Sequence, residues 1–219
     1  MLDFTATLAQ VHLFLQGAAV TLTVSLLGAA LGILFGTVLF FARRSSVAAL
    51  RYLAEIYVSI VRGTPLLVQI FLVYYTLPSL IGVDLPAFSA GVLALSLNSG
   101  AFVSEILRGG VTAIAKGQFE AGLALGLSRL VVWLRIVLPQ LFRMVLPPLV
   151  NEFTILVKAS PLLSVITIVE LTRTAQNIMN VTYRPIEAFS VAAAFYFVIL
   201  FALSGFARAL ERRTALRTA

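Results

Sequence analysis

The sequence predicts an all-α integral membrane protein with five transmembrane helices, an amphipathic helix on the inner surface and a short re-entrant or gate helix on the outer side. Three observations carry that prediction. First, 60% of the 219 residues are hydrophobic and only 11% are charged, with a mean hydropathy of +1.03. A soluble domain is about 45–50% apolar and about 25% charged, so this chain lacks the polar surface to coat a water-soluble globule. Second, the apolar residues fall in runs close to the roughly 20 residues that a helix needs to cross a bilayer. Third, 13 of the 16 Lys and Arg residues fall on one set of alternate connections, as expected where cytoplasmic loops collect basic residues.

In chain order, Gly17 to Phe41 is the clearest span, with 25 residues and no charge. The first 16 residues contain no Lys or Arg. The basic region of a cleavable signal peptide is therefore missing, and this segment is expected to be retained. Ser45 to Gly63 carries Arg51, Glu55 and Arg62, yet places Leu50, Leu53, Ala54, Tyr57 and Val61 at helical spacing. That pattern predicts the helix on the inner surface. Thr64 to Ile81, 18 uncharged residues, is the second span. Proline in its first turn and the snorkelling reach of Arg62 make Arg62 and Thr64-Pro65 a structural joint.

Pro86 to Leu107 is the third span and holds Asn98 and Glu105; Gln140 to Val157 is the fourth, with Arg143, Asn151 and Glu152; Ile186 to Ala207 is the fifth. Leu162 to Leu171 is apolar but, at 10 residues, too short to cross. It follows Ser160-Pro161, a helix-start signal, and reads as the outer re-entrant helix. Residues 1–219 are expected to form one domain. Its N-terminus is expected outside, and the tail with Arg208, Arg212, Arg213 and Arg217 in the cytoplasm.

The composition also closes off function classes. Without cysteine there are no disulfides, thiolate metal sites or cysteine nucleophiles. The single histidine, His12, stands before the first span, which argues against a Ser–His intramembrane protease and against His-pair metal chemistry. No G-x-x-x-x-G-K-[ST] loop is present, so the chain has no phosphate cradle for ATP hydrolysis of its own. The excess of 16 basic over 9 acidic residues serves topology and the lipid bilayer rather than nucleic acid. A transport subunit remains the leading class, with an intramembrane enzyme or a simple channel as alternatives.

The segment from Ala115 to Leu130 separates these classes. It lies inside, yet it is rich in Leu, Ala and Gly where a simple connector would be polar. Small residues at Ala121, Gly122, Ala124 and Gly126 allow another backbone to approach, and Leu123, Leu125 and Leu127 offer apolar contact. Such a surface is expected to be covered by a partner or folded against its own bundle. Gly126 is expected to turn the chain, by positive φ or by admitting a close backbone.

These residues resemble a known family. Glu120-Ala121-Gly122, then Gly126, then Ile136-x-Leu138-Pro139, is similar to the cytoplasmic "EAA" signature of membrane subunits of bacterial ATP-binding-cassette importers, with Gly122 where the family usually has Ala. Further segments resemble the polar amino-acid branch: Arg62-Gly-Thr-Pro-Leu-Leu-Val-Gln69, Asn98-Ser-Gly-Ala-Phe-Val-Ser-Glu105 with Arg108-Gly-Gly110, and Lys116-Gly-Gln-Phe-Glu-Ala121. Asn151-Glu152-Phe153 with Lys158, and Glu170-Leu-Thr-Arg173, complete a set spanning roughly residues 12 to 210. The resemblance implies a permease in the bacterial cytoplasmic (inner) membrane, with a coupling helix in the 115–130 loop. Lys116, Gly117, Glu120, Ala121, Gly122, Gly126 and Pro139 would contact or position the ATPase. It also implies a partner ATPase dimer that binds ATP and magnesium, no cofactor in this chain, a second membrane subunit (identical or paralogous) and an external solute-binding protein.

Charges near the bilayer interior cost about 2.5 kcal/mol or more, so they usually face a cavity or a partner. Glu152 follows Pro147-Pro148, which leave carbonyls without helical donors and are expected to bend the helix. Lys158 lies six residues on, about 240° around an ideal helix. One acid and one base suit an amino acid's ammonium and carboxylate; the alternative is a structural ion pair, with Arg173 as a further partner. Asn98 and Glu105 are the other expected substrate contacts, although Glu105 can simply pair with Arg108.

Overall fold

The structure, a computed structural model, describes residues 3–215; Arg217, counted above with the inner tail, lies outside them. Every regular element among the described residues is helical. Among the described residues four helices are long and apolar enough to cross a membrane: α1 (Val11–Ala42), α4 (Ala87–Ala113), α6 (Arg129–Ile166) and α8 (Pro185–Ala215). A fifth span results if α2 (Ala48–Gly63) and α3 (Leu66–Ile81), which meet at 113°, are counted together. The shorter α5 (Lys116–Ala124) and α7 (Leu171–Thr182) lie between spans.

Helix α1 reads apolar on every side, as a helix bathed in lipid and protein does. What orients it is a ridge of Gly28, Gly32 and Gly36 at four-residue spacing. A Cβ on Gly28 would stand 2.8 Å from Leu95 Cβ, one on Gly32 2.8 Å from Ser99 Cβ, and one on Gly36 2.6 Å from the Gly100 carbonyl oxygen. The backbones of α1 and α4 therefore touch through missing side chains, the small-xxx-small mode of packing in lipid. Around this crossing Val24, Ile70, Leu95, Leu156, Leu163 and Ile166 form the largest buried apolar cluster.

Two helices contain π turns with a shared cause. Leu72–Thr76 precedes Leu77-Pro78 in α3, and Trp133–Val137 precedes Leu138-Pro139 in α6. Proline has no N–H to give the carbonyl four residues back, and its ring pushes that carbonyl away, so the ladder slips by a residue. In α6 the helix survives the slip. The fourth span consequently does not begin near Gln140 but reaches back to Arg129 without a break. Pro147 and Pro148 also sit inside the continuous helix rather than breaking it.

The outer segment differs from expectation. No separate helix covers Leu162 to Leu171. Instead α6 tightens into a 3-10 turn over Ser160–Ile166, Thr167 adopts φ 70°, and an extended stretch leads into α7. No apolar run marks α7 in the sequence, because its mean polarity hides a buried stripe of Leu171, Thr174, Ala175 and Ile178. Glu170 caps it from a fully buried position. Its carboxylate accepts from the backbone N–H of Thr172 (2.9 Å) and Arg173 (2.7 Å), and from the Tyr196 hydroxyl (2.8 Å). The α7 entry is thereby tied to α8, and the Leu171 N–H donates to Thr21 Oγ1 on α1 at 3.2 Å.

Gly32→Ile is expected to destabilise the bundle by about 1–3 kcal/mol or more, because Ser99 and Gly100 leave no room. Gly205→Ile, where a Cβ meets nothing within 4 Å, is expected to change little. Thermal unfolding of the two variants in one detergent checks the contrast; equal shifts would contradict the ridge.

Candidate functional site

One end of the bundle is organised by a single carboxylate. Glu105, its side chain 16% exposed, pairs with Arg43 from the end of α1 (2.5 Å), Arg108 one turn along α4 (2.8 Å) and Arg62 from the end of α2 (3.5 Å). The Arg108 pair matches the expected alternative; Arg43 and Arg62, 62 and 43 positions away in sequence, were not anticipated as partners. Glu105 is thus occupied in joining α1, α2 and α4. The joint at Thr64-Pro65 is fixed alongside it. Gln69 Nε2 donates to the Val61 carbonyl (2.8 Å) and to Thr64 Oγ1 (3.0 Å), while its Oε1 accepts from Asn98 Nδ2 (2.9 Å). Asn98, buried on α4, therefore pins the 113° bend.

Glu152 is different. It is 6% exposed, on the α6 face turned towards α4, with Ser99 as its neighbouring hydroxyl. Among the described residues no Lys or Arg pairs with it. Arg173 bonds Gln176 instead, at 3.3 Å. Lys158 is exposed, and Glu152 and Lys158 form no ion pair. Lys158 shares an exposed stripe of α6 with Met144, Pro148, Asn151 and Ile155, spaced at three and four residues. No group of three His, Asp or Glu residues among the described ones could hold a metal ion.

The third region is α5 and its attachment. Gly122 is the buried residue of α5: a Cβ there would lie 2.8 Å from Val132 Cγ2 and 3.1 Å from Ile136 Cδ1. Glycine at this position lets α5 lie against the π turn of α6. Gly126 ends the helix at φ 76° with open space around it, so it turns the chain by conformation and not by close approach. The Leu127 N–H reaches the Gly122 carbonyl (3.2 Å) and the Gly126 N–H reaches that of Leu123 (2.9 Å). This pair of bonds is a Schellman cap, which needs the left-handed residue. Lys116, Gly117, Glu120, Ala121, Leu123 and Leu125 remain exposed, Leu125 at 80%. Pro139 is not on α5; it follows the π turn against which Gly122 packs.

The described residues form a multi-span helical bundle with a short exposed helix, α5, braced on one of its spans at Gly122. Residues 28–216 match the family of binding-protein-dependent transport system inner membrane components, and the chain belongs to that family. It is 39% identical over 212 residues to the arginine transport system permease protein ArtQ of Bacillus subtilis (strain 168), covering 97% of each chain. It is 40% identical over 212 residues to the glutamine transport system permease protein GlnP of Escherichia coli (strain K12), covering 96% of this chain and 97% of the relative. A solved structure of an amino acid ABC transporter with histidines superposes with TM-score 0.92 at 38% identity, over 97% of this chain and 99% of that one. The MetNI methionine ABC transporter, at 15% identity and TM-score 0.70 over 90% and 91% of the two chains, shares the fold. This chain is accordingly a multi-pass inner-membrane permease subunit of an ABC importer, a transport component and not an enzyme, for which an ATPase and a second membrane subunit are expected.

Glu105→Gln is expected to lower stability by about 1–3 kcal/mol, because three guanidinium groups then face one another at a partly buried site. Thermal unfolding at low and high salt measures it. A wild-type midpoint would mean the cluster contributes nothing.

Proposed function

We propose that this chain is the transmembrane subunit of an ATP-driven, binding-protein-dependent importer of polar amino acids. It lines the substrate path where it meets a second membrane subunit, and it couples to a separate ATPase dimer through Glu120-Ala121-Gly122. The observation that carries the proposal is α5: nine residues braced on α6 at Gly122, with Glu120, Ala121 and Leu123 uncovered and Leu125 uncovered just past its end. Exposed Leu123 and Leu125 beside a membrane span call for a partner, and the attachment of α5 to α6 turns any push on α5 into motion of a span. ATP and magnesium belong to the partner ATPase. The named substrates of the relatives, arginine and glutamine, and the histidines of the solved transporter support a polar amino acid as cargo.

The path is proposed along the exposed α6 stripe. Asn151 and Lys158 facing lipid would cost several kcal/mol, whereas facing a second subunit and water they cost little. Lys158 offers a cation to the substrate carboxylate. Glu152 lies off this stripe, buried against α4 with no cation beside it among the described residues. It is assigned to the substrate ammonium on the proposal that the path reaches between α6 and α4 at its level. Asn98 and Glu105 support the site from the joint and the arginine cluster rather than by touching substrate. The arginine-rich end is assigned to the cytoplasm, with the N-terminus outside, and an external binding protein delivers the substrate there.

Gly126→Val is expected to insert and fold, since the site is open, but to lose ATPase co-purification or binding-protein-stimulated ATP turnover. The left-handed conformation costs a branched residue about 1–2 kcal/mol. Retention of both at wild-type level would remove α5 as the coupling element. Glu152→Gln is expected to raise the KM for uptake about tenfold or more while the complex still assembles; unchanged uptake across a substrate titration leaves Glu152 a structural residue. The chain has no cysteine, so single cysteines at exposed Ala6 and Gln118 test orientation with an impermeant thiol reagent. Labelling of intact spheroplasts is expected at position 6 only, and labelling at 118 only would invert the topology.

A further inference from the structure

Where the end of α1 meets the α5 segment, a cavity of about 220 Å³ opens between Arg44, Ile114, Lys116, Phe119, Trp133 and Val137. Its lining is apolar except for two cations, and no acid lines it. The Arg44 guanidinium lies 5.6 Å from the ring centroids of both Phe40 and Trp133, within cation–π range of each. Its sequence neighbour Arg43 is spent on Glu105, as are Arg62 and Arg108. Arg44 and Lys116 form no ion pair among the described residues. We propose that this cavity binds the headgroup of an anionic phospholipid, with the phosphate between Arg44 and Lys116.

Charge complementarity and position select a lipid. A guanidinium held by two rings and an ammonium across an apolar cleft match a phosphodiester. The cavity has room for a phosphoglycerol group but not for a whole lipid. Phe41 (63% exposed) and Leu134 (54% exposed) flank it in sequence and offer an apolar surface for acyl chains, which a free phosphate would leave unused. The site lies at the end of a span, where headgroups sit. A bound lipid bridges α1 to α5, so the charge of the leaflet bears on how firmly α5 is held. This role is separate from the substrate path.

Trp133 is the only tryptophan and lines the cavity, so it reports occupancy in the full-length chain. The chain is placed in phosphatidylcholine nanodiscs, and bromines near the headgroup end of the acyl chains are carried either by added phosphatidylglycerol or by an equal fraction of phosphatidylcholine. Brominated phosphatidylglycerol is expected to quench Trp133 at a roughly 5- to 25-fold lower mole fraction, about fivefold for each cation engaged. Arg44→Gln is expected to abolish most of that preference, while Arg51→Gln, on α2 and outside the cavity, is expected to keep it. Equal quenching by the two lipids would overturn the proposal, as would an equal loss in both variants, which would signify diffuse surface charge. Full displacement of phosphatidylglycerol by millimolar inorganic phosphate would also overturn it in favour of a free-anion site.

Discussion

The close approach of α1 and α4 through Gly28, Gly32 and Gly36 is the constraint on which the other positions depend. In lipid there is no hydrophobic force between helices, so backbone contact and shape fit have to supply the association. Once α1 and α4 are locked at that spacing, Arg43 at the end of α1 falls beside Glu105 on α4. The same α4 surface carries Asn98, which holds Gln69 and through it the bend into α3. Gly110 continues the pattern on the other side: a Cβ there would stand 2.6 Å from Val145 Cγ1, which sets α6 against α4 and turns Glu152 inward.

Helix α6 then becomes the mechanical link. It runs from Arg129, beside α5, to the 3-10 turn at Ser160–Ile166 on the opposite side of the bundle. Proline at position 139 exchanges α-helical bonds for a π turn without ending the helix, and Gly122 of α5 rests on Val132 just before that turn and on Ile136 within it. On the proposed reading, a displacement of α5 is carried by a continuous rod to the level of Glu152 and Lys158. A broken helix at Pro147-Pro148 would have absorbed the displacement locally; the continuous helix does not.

The spans and the grouping of arginines were legible because bilayer thickness and basic-residue placement leave a strong imprint on composition. Gly126 was legible too, since a helix end needing positive φ leaves few choices of residue. Other features were hidden for specific reasons. Helix α7 buries only four side chains, and apart from Met179 and Val181 the rest of it is polar, so no apolar run betrays it. The extension of α6 to Arg129 was obscured because Arg129, Arg135 and Pro139 read as the end of a loop, whereas a π turn accommodates the proline. The pairing of Arg43 and Arg62 with Glu105 depends on the tertiary crossing and has no local signal. The glycine ridge was written in the sequence as three glycines four residues apart, a pattern that gains meaning only against a partner helix. Glu152 and Lys158 were singled out as charges within a span, and their separation around the helix followed from the 100° step; which of them would be buried did not.

The structure of the assembled transporter in a bilayer, by cryo-electron microscopy, tests the coupling and path together. The expected result has α5 seated in a cleft of the ATPase, with Asn151, Ile155 and Lys158 of α6 facing the second membrane subunit. An assembly in which α5 stays clear of the ATPase, or in which that α6 stripe faces lipid while α8 forms the subunit interface, would contradict it.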